Sequence, residues 1–403
     1  MPLLFLAQSA GSPSKTFRIC GLALLLGLAF APYHAVLAVG VGVLVVAACR
    51  MPRARRVLAV AAIVFLIGAI RPRGPTIVLP TESFASLRAA SVRAVRRAAP
   101  GPEGTLLLGM SVGDTTDMPR WLTLRFRRTG TSHLLAVSGA NVTIAAGTLV
   151  SMLFALRLRR RAVALGAAVA VCAFALFAGA EPPVTRAAFM ALLVLTAREL
   201  GRTPDSANLL IAAACIMLAL DPRAITSVSF ALSFTATGGL LWLTPPIAAR
   251  FETMRLVRRA PEFLRGTAAD GLAAQLATLP IALGTFGTFS AVSPLANILA
   301  APFVPLLTIG GGVLLAAAGI QPDLGRVVGV FLAIPVRVLL VLLAWCDAVP
   351  GAFLAGGSIP LPLAVAWYIF LAAIVVRARG LADDGKARMI GETIPPFVYA
   401  KHD

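Results

Sequence analysis

The stretch His133-Leu134-Leu135-Ala136-Val137-Ser138-Gly139-Ala140-Asn141-Val142 heads an apolar run that reaches Leu156. Four of its residues, His133, Ser138, Gly139 and Asn141, are out of place in a helix that faces lipid. Polar side chains at membrane depth are costly unless they face the bundle interior or a water-filled cavity. A glycine lets a second backbone or a ligand approach closely. Either something polar passes this point, or two helices lock together here. The whole run, 133–156, is expected to form one helix.

Composition sets the class around it. Hydrophobic residues make up 59% of the 403, and only 13% are charged; mean hydropathy is +0.89. Apolar runs recur at close to the roughly 20 residues that cross a bilayer. The expected fold is an all-α polytopic integral membrane protein, with about 11–12 transmembrane or re-entrant helices, some of them broken. Cys20, Cys49, Cys172, Cys215 and Cys346 are scattered through apolar segments without a CxxC pair, so neither a disulfide framework nor a metal site is expected. His34, His133 and His402 are isolated from one another and from acidic pairs at ligand spacing. There is no phosphate-binding G-x-x-x-x-G-K-[ST] loop. His133 and Ser138 would lie roughly 140° apart on a helix, too far round to act as base and nucleophile. No catalytic residue, metal or cofactor is expected.

Four regions follow. Residues 1–70 are N-terminal membrane helices: a weakly basic lead, an apolar run over 20–49 that Pro32 breaks, an arginine turn, and a short apolar segment over 57–70. Residues 71–132 are polar, 133–378 form a channel-type transmembrane domain, and 379–403 are a cytoplasmic tail. Arginine clusters at 157–161, 198–202, 250–265 and 377–379 mark the cytoplasmic side. Spans are expected over 162–178, 184–196, 208–220, 227–243, 268–288, 293–319, 325–348 and 359–377. That alternation puts residues 71–132 outside and both termini inside; if 20–49 is a single span, the amino terminus moves outside.

Residues 71–132 break the charge rule. They hold ten arginines against Glu82, Glu103, Asp114 and Asp117, a net of +6, where an outer segment should be poor in arginine. Over 86–99 the pattern is amphipathic, with Arg88, Arg93, Arg96 and Arg97 on one side and Leu87, Ala94, Val95 and Ala98 on the other. Such a helix suits a membrane surface. Together with Arg125, Arg127 and Arg128, these arginines would gather a polyanion from outside; contact with anionic lipid headgroups is the plainer account.

Three further features bear on a polar path. Arg186 stands at the mouth of its helix within reach of Glu181, either snorkelling to the interface or lining a pore. The span over 227–243 carries Ser233 and a run of small residues, the mark of close helix packing. The segment 275–305 is interrupted by Gln275, Pro280, Pro294, Asn297, Pro302 and Pro305. Broken helices at membrane depth occur where they are buried in protein or line an aqueous cavity.

The ordered series HLLAVSGANV (133–142) after Gly113-Asp114, PPVTRAAFMALL (182–193), LDPRAITSVSFALSFTATGGL (220–240) and AQLATLPIALGTFGTFSAVSPLANILAAPFVP (274–305) resembles the ComEC family of competence proteins. The resemblance covers about residues 105–320. It departs from the family pattern at Thr115, where arginine is common, at Asn141, where a second histidine is usual, and at Ala231, where glutamine is common.

This likeness implies a multi-pass protein of the bacterial cytoplasmic membrane that passes transforming DNA inward as a single strand. It implies a path shaped by Asp114, His133, Ser138, Gly139, Asn141, Arg186, Ser233, Gln275, Pro280, Pro294 and Asn297. The partners implied are single-stranded DNA, the lipid bilayer, an extracytoplasmic DNA-binding protein and a cytoplasmic motor, with an oligomer allowed. Fuller family members add a nuclease-like domain. No His-x-His-x-Asp-His signature occurs here, so any nuclease step is expected from another protein. The alternative is a secondary transporter of a small anionic or lipid-like substrate, which broken helices and a cationic vestibule fit equally well.

Overall fold

The computed structural model describes residues 82–393 except 136, 256, 357 and 358; the expectations for residues 1–70 and for the end of the tail lie outside the described residues. The helices in chain order are α1 (Glu82–Ala98), α2 (Pro102–Val112), α3 (Arg120–Arg128), α4 (Gly139–Ala155) and α5 (Arg160–Phe177). Then come α6 (Pro182–Glu199), α7 (Ser206–Leu220), α8 (Val228–Trp242), α9 (Thr244–Thr253) and α10 (Glu262–Phe286). The last are α11 (Ser293–Ala300), α12 (Phe303–Ile320), α13 (Pro322–Asp347) and α14 (Leu361–Thr393). One antiparallel ribbon joins β1 (Thr288–Ser290) to β2 (Phe353–Ala355), with Phe289 opposite Leu354.

This is an all-α, multi-pass membrane protein. By length and composition, α5, α12, α13 and the Leu361–Ala378 part of α14 can each cross a bilayer, and α8 with α9, bent by 45°, make a fifth span if taken together. α4 and α7 are apolar but shorter.

Local chemistry sets the helix ends. Ser138, Asp205 and Ser227 cap α4, α7 and α8 by accepting backbone N–H groups of Asn141, Asn208 and Phe230, which occupies donors that a first helical turn leaves over. α2 starts at Pro102 and stops at Gly113, whose φ of 74° is left-handed. The turn between α5 and α6 carries Gly179 at φ 88° and Ala180 at φ 53°.

Several expected spans shift. The 133–156 helix begins only at Gly139, because Ser138 is extended and serves as the cap, while His133 lies in the separate 3-10 turn Ser132–Leu134. The 293–319 span is two helices, α11 and α12, parted at Ala301–Pro302. α1 does not lie free on a membrane surface. Val92, Val95 and Ala98 are buried in one core with Leu307 and Leu314 of α12 and Leu339 and Leu343 of α13. Leu87 is 56% exposed rather than on the buried side. Burying that stripe against protein removes more apolar area from water than a partial bed in headgroups would. α2 joins the same core through Leu106, Leu107, Leu108 and Met110.

α10 runs straight through Pro280, so the break expected there falls instead at Gly287, in the left-handed region with φ 60°. A proline inside a helix removes one N–H and crowds the carbonyls one turn back. Those carbonyls belong to Leu276 and Ala277, and both are met from α14: Trp367 Nε1 donates to Leu276 O at 2.9 Å and Tyr368 Oη to Ala277 O at 3.1 Å. Trp367→Phe should therefore destabilise the protein by about 1 kcal/mol. In a Pro280→Ala background the restored amide takes the carbonyl, and thermal unfolding in nanodiscs should show that cost nearly gone.

Candidate functional site

The residues of the opening stretch sit where three helices meet. α2 ends in carbonyls with no partner in their own helix, and two side chains collect them. Asn141 Nδ2 donates to Met110 O at 2.7 Å, and Arg88 Nη2 donates to Val112 O at 3.0 Å. Asn141 is 2% exposed, and its Oδ1 accepts from Ser138 Oγ at 3.2 Å and from Thr308 Oγ1 of α12 at 3.3 Å. One amide thus ties α2, α4 and α12 together. Gly311, one turn past Thr308, lies so close to Ser111 that a Cβ there would collide with its hydroxyl.

On the other flank of α4, Gly139 makes room for Arg186. A Cβ at Gly139 would stand 2.5 Å from Arg186 Nη2, so only a glycine lets the guanidinium lie across the start of the helix. Arg186 neither snorkels nor pairs with Glu181. Its Nη1 donates to Ser233 O at 2.5 Å and to the hydroxyl of Thr237, both on α8. Among the described residues no carboxylate is paired with it. Arg186 Nε and Ser233 Oγ are buried without hydrogen-bond partners among the described residues. The result is a cation in the bundle interior with donor capacity to spare. Next to it, Gly239 lets α8 lie on α10, with its would-be Cβ 2.6 Å from Ala277 Cβ, as the run of small residues suggests.

A second polar group gathers the interrupted segment. Gln275 Nε2 donates to Ser290 O at 2.9 Å, Asn297 Nδ2 to Ser293 Oγ at 3.2 Å, and Ser293 Oγ to Gly130 O at 3.5 Å. Pro294 starts α11. Gln275 and Ser293 here hold helices to loops, and Asn297 bonds Ser293 within α11. His133, on its own turn, hydrogen-bonds the Gly130 backbone at the edge of this second cluster and takes no part in the first.

Asp114 opens the remaining group. Its carboxylate accepts from Arg96 Nη2 at 2.9 Å and from Thr116 N and Oγ1 at 3.1 and 2.6 Å, while Arg96 Nη1 pairs with Asp117 at 2.5 Å. Burial works to raise the Asp114 carboxyl, but the Thr116 hydrogen bonds and Arg96 outweigh it and hold the group below its usual range. Most of the other arginines are also engaged within the chain. Arg125 lies over the Trp121 ring at 5.2 Å, Arg127 donates to Phe286 O at 3.2 Å, and Arg128 pairs with Asp347 at 2.6 Å. Arg93 and Arg97 are exposed.

The family model for the competence protein matches residues 110–380, a stretch that takes in Asn141, Arg186 and both polar clusters. The chain belongs to the Competence protein family. It is 31% identical over 290 residues to the competence protein ComA of Neisseria gonorrhoeae, covering 68% of this chain and 38% of that protein. It is 27% identical over 213 residues to the ComE operon protein 3 of Bacillus subtilis (strain 168), covering 53% of this chain and 26% of that one. An uncharacterised Escherichia coli (strain K12) protein, YcaI, is 27% identical over 228 residues, covering 52% of this chain and 28% of its own. The matched regions thus span well under half of these relatives. No solved structure matches.

Thr308 and Ser111, and the particular part of Thr237 among the hydroxyls Ser227, Ser229, Ser233 and Thr235 of its span, are not marked by sequence because hydroxyls in apolar helices usually bond back to their own turn. Only the contact partners mark these three. Asn141→Ala would leave Met110 O unpaired in the core and should cost about 1–3 kcal/mol in thermal unfolding. Gly139→Ala should cost a similar amount by overpacking, about 1–3 kcal/mol, and most of it should vanish in an Arg186→Ala background, where the obstacle is gone. Asp114→Asn should lower stability at pH 7 by up to about 1 kcal/mol. Because the folded carboxyl titrates below its ordinary 3.8, the gap to wild type should persist down to that pH and close only as pH falls further.

Proposed function

We propose that the protein is the membrane conduit through which transforming DNA passes as a single strand across the bacterial cytoplasmic membrane. One observation supports this beyond family membership: Arg186 is a guanidinium in the bundle interior with no paired carboxylate among the described residues, held by acceptors on α8. A buried cation is expensive without a counter-charge, and a passing phosphate would supply one. Arg93 and Arg97, exposed on α1, would draw the polyanion in. Asp114, Ser138, Gly139, Asn141 and Ser233 would then shape the path through their hold on helix ends. An extracytoplasmic protein would deliver the DNA, and the proton gradient or a cytoplasmic motor would drive it.

The test is to delete the gene in a naturally transformable host and score uptake of labelled DNA. The strain is then complemented with wild type, Arg186→Lys and Arg186→Gln. Deletion should abolish transformation while DNA still binds outside. Lysine should restore part of it and glutamine almost none, at equal protein levels. Full transformation by the deletion strain, with no second relative encoded, would sink the proposal and favour a transporter of a small anion.

A further inference from the structure

The arginine helix does not sit where a charge rule puts it. Contacts along α13 show how far the segment 82–128 extends. Ala98 and Ala99 lie against Gly325 and Gly329 in the first turns of α13, where glycine Cβ atoms would come within 2.9 and 3.0 Å of their methyls. Glu103 pairs with Arg337 near the middle of α13 at 2.7 Å, and Arg128 pairs with Asp347, its last residue. α13 has 26 residues, a length of about 39 Å, enough to cross a bilayer. The chain from Ala98 to Arg128 therefore runs the length of a candidate span.

The other end of α1 lies at the opposite level. Arg88 reaches the turn after α2, and its Nη1 would be 3.2 Å from a Cβ on Gly179, in the tip between α5 and α6. α5 begins in the Arg159–Arg161 cluster, so that tip is on the side away from the basic turns. Asp347 is on the tip's side too, because the consecutive Arg127 and Arg128 in the last turn of α3 join it to Phe286, the end of a helix that starts after the basic loop 250–265. α1 thus runs from the tip's side, where Arg88 and Arg96 both reach the residues that follow α2, toward the first turns of α13, with its apolar face on α12 and α13. Its other face carries Arg88, Arg93 and Arg96, which line a groove of about 520 Å³ with Asp114, Thr115 and Thr116.

We propose that residues 82–112 form a hairpin inserted into the membrane beside α13, and that the arginine face of α1 borders a water-filled passage. Charged side chains at bilayer depth face water or protein. Arg337 adds an independent sign: halfway along α13 it is 71% exposed and bonds Glu103 through one of its N–H groups, leaving the rest to be met by water. Only the identity of what the passage carries rests on the conduit proposed above.

The test uses the full chain in spheroplast membranes, with Cys346 kept as a buried control and the other four cysteines replaced by serine. Ala99→Cys with Gly329→Cys should form a disulfide on mild oxidation. Arg93→Cys and Arg97→Cys should each react with a membrane-impermeant thiosulfonate added from outside, scored in samples where Cys346 stays unreacted. Reaction at Arg93→Cys without the cross-link would overturn the insertion and return α1 to the outer surface. A cross-link with Arg97→Cys silent would overturn the passage, placing lipid or another protein on that face. A single-stranded oligonucleotide should slow labelling at Arg93→Cys severalfold. Unchanged labelling would count against DNA as the cargo while leaving the passage intact.

Discussion

A carbonyl oxygen inside a bilayer has no water to turn to, and this protein meets that constraint with side chains at several places where a helix leaves one over. Asn141 and Arg88 take the last carbonyls of α2, Trp367 and Tyr368 take the one freed by Pro280 and its neighbour, and Arg127 takes Phe286 at the end of α10. Each of these bonds joins elements that are distant in sequence. The tertiary arrangement of the polar residues is therefore largely the list of helix ends and kinks that need partners. Arg186 belongs to the same pattern through Ser233 O, but differs in bringing a full charge with it.

That double role explains why structural and functional residues are hard to separate here. Asn141 is saturated by Met110, Ser138 and Thr308 and behaves as a fastening. Arg186 is only partly satisfied, with Nε unpartnered among the described residues, so it retains capacity for a further acceptor. Arg88 and Arg96 are committed to Val112 O and to Asp114 and Asp117, whereas Arg93 and Arg97 stand exposed beside them. A row of arginines that looks uniform in sequence is divided by the fold into anchors and candidates for a ligand.

Much of this was legible beforehand. The class follows from apolar content, and Gly139 and Asn141 stand out as polar or small residues within an apolar run. Long-range geometry was not legible. That Pro280 is spanned rather than broken depends on Trp367 and Tyr368, 91 residues away. That α1 buries Val92 and Val95 while exposing Leu87 depends on where α12 and α13 lie. Amphipathicity tells which face is apolar, but not whether lipid or protein covers it.

The bonds of Asn141 also impose a schedule on biogenesis. Met110 precedes Asn141 by 31 residues, whereas Thr308 follows it by 167, and Ser233 follows Arg186 by 47. A chain made from its amino terminus has α2 available to receive Asn141 as soon as α4 emerges, but α12 comes only after seven more helices, α5 to α11, have been synthesised. Until then the polar face of α4 must be sheltered by the insertion machinery, and the arrival of α12 is the step that releases it.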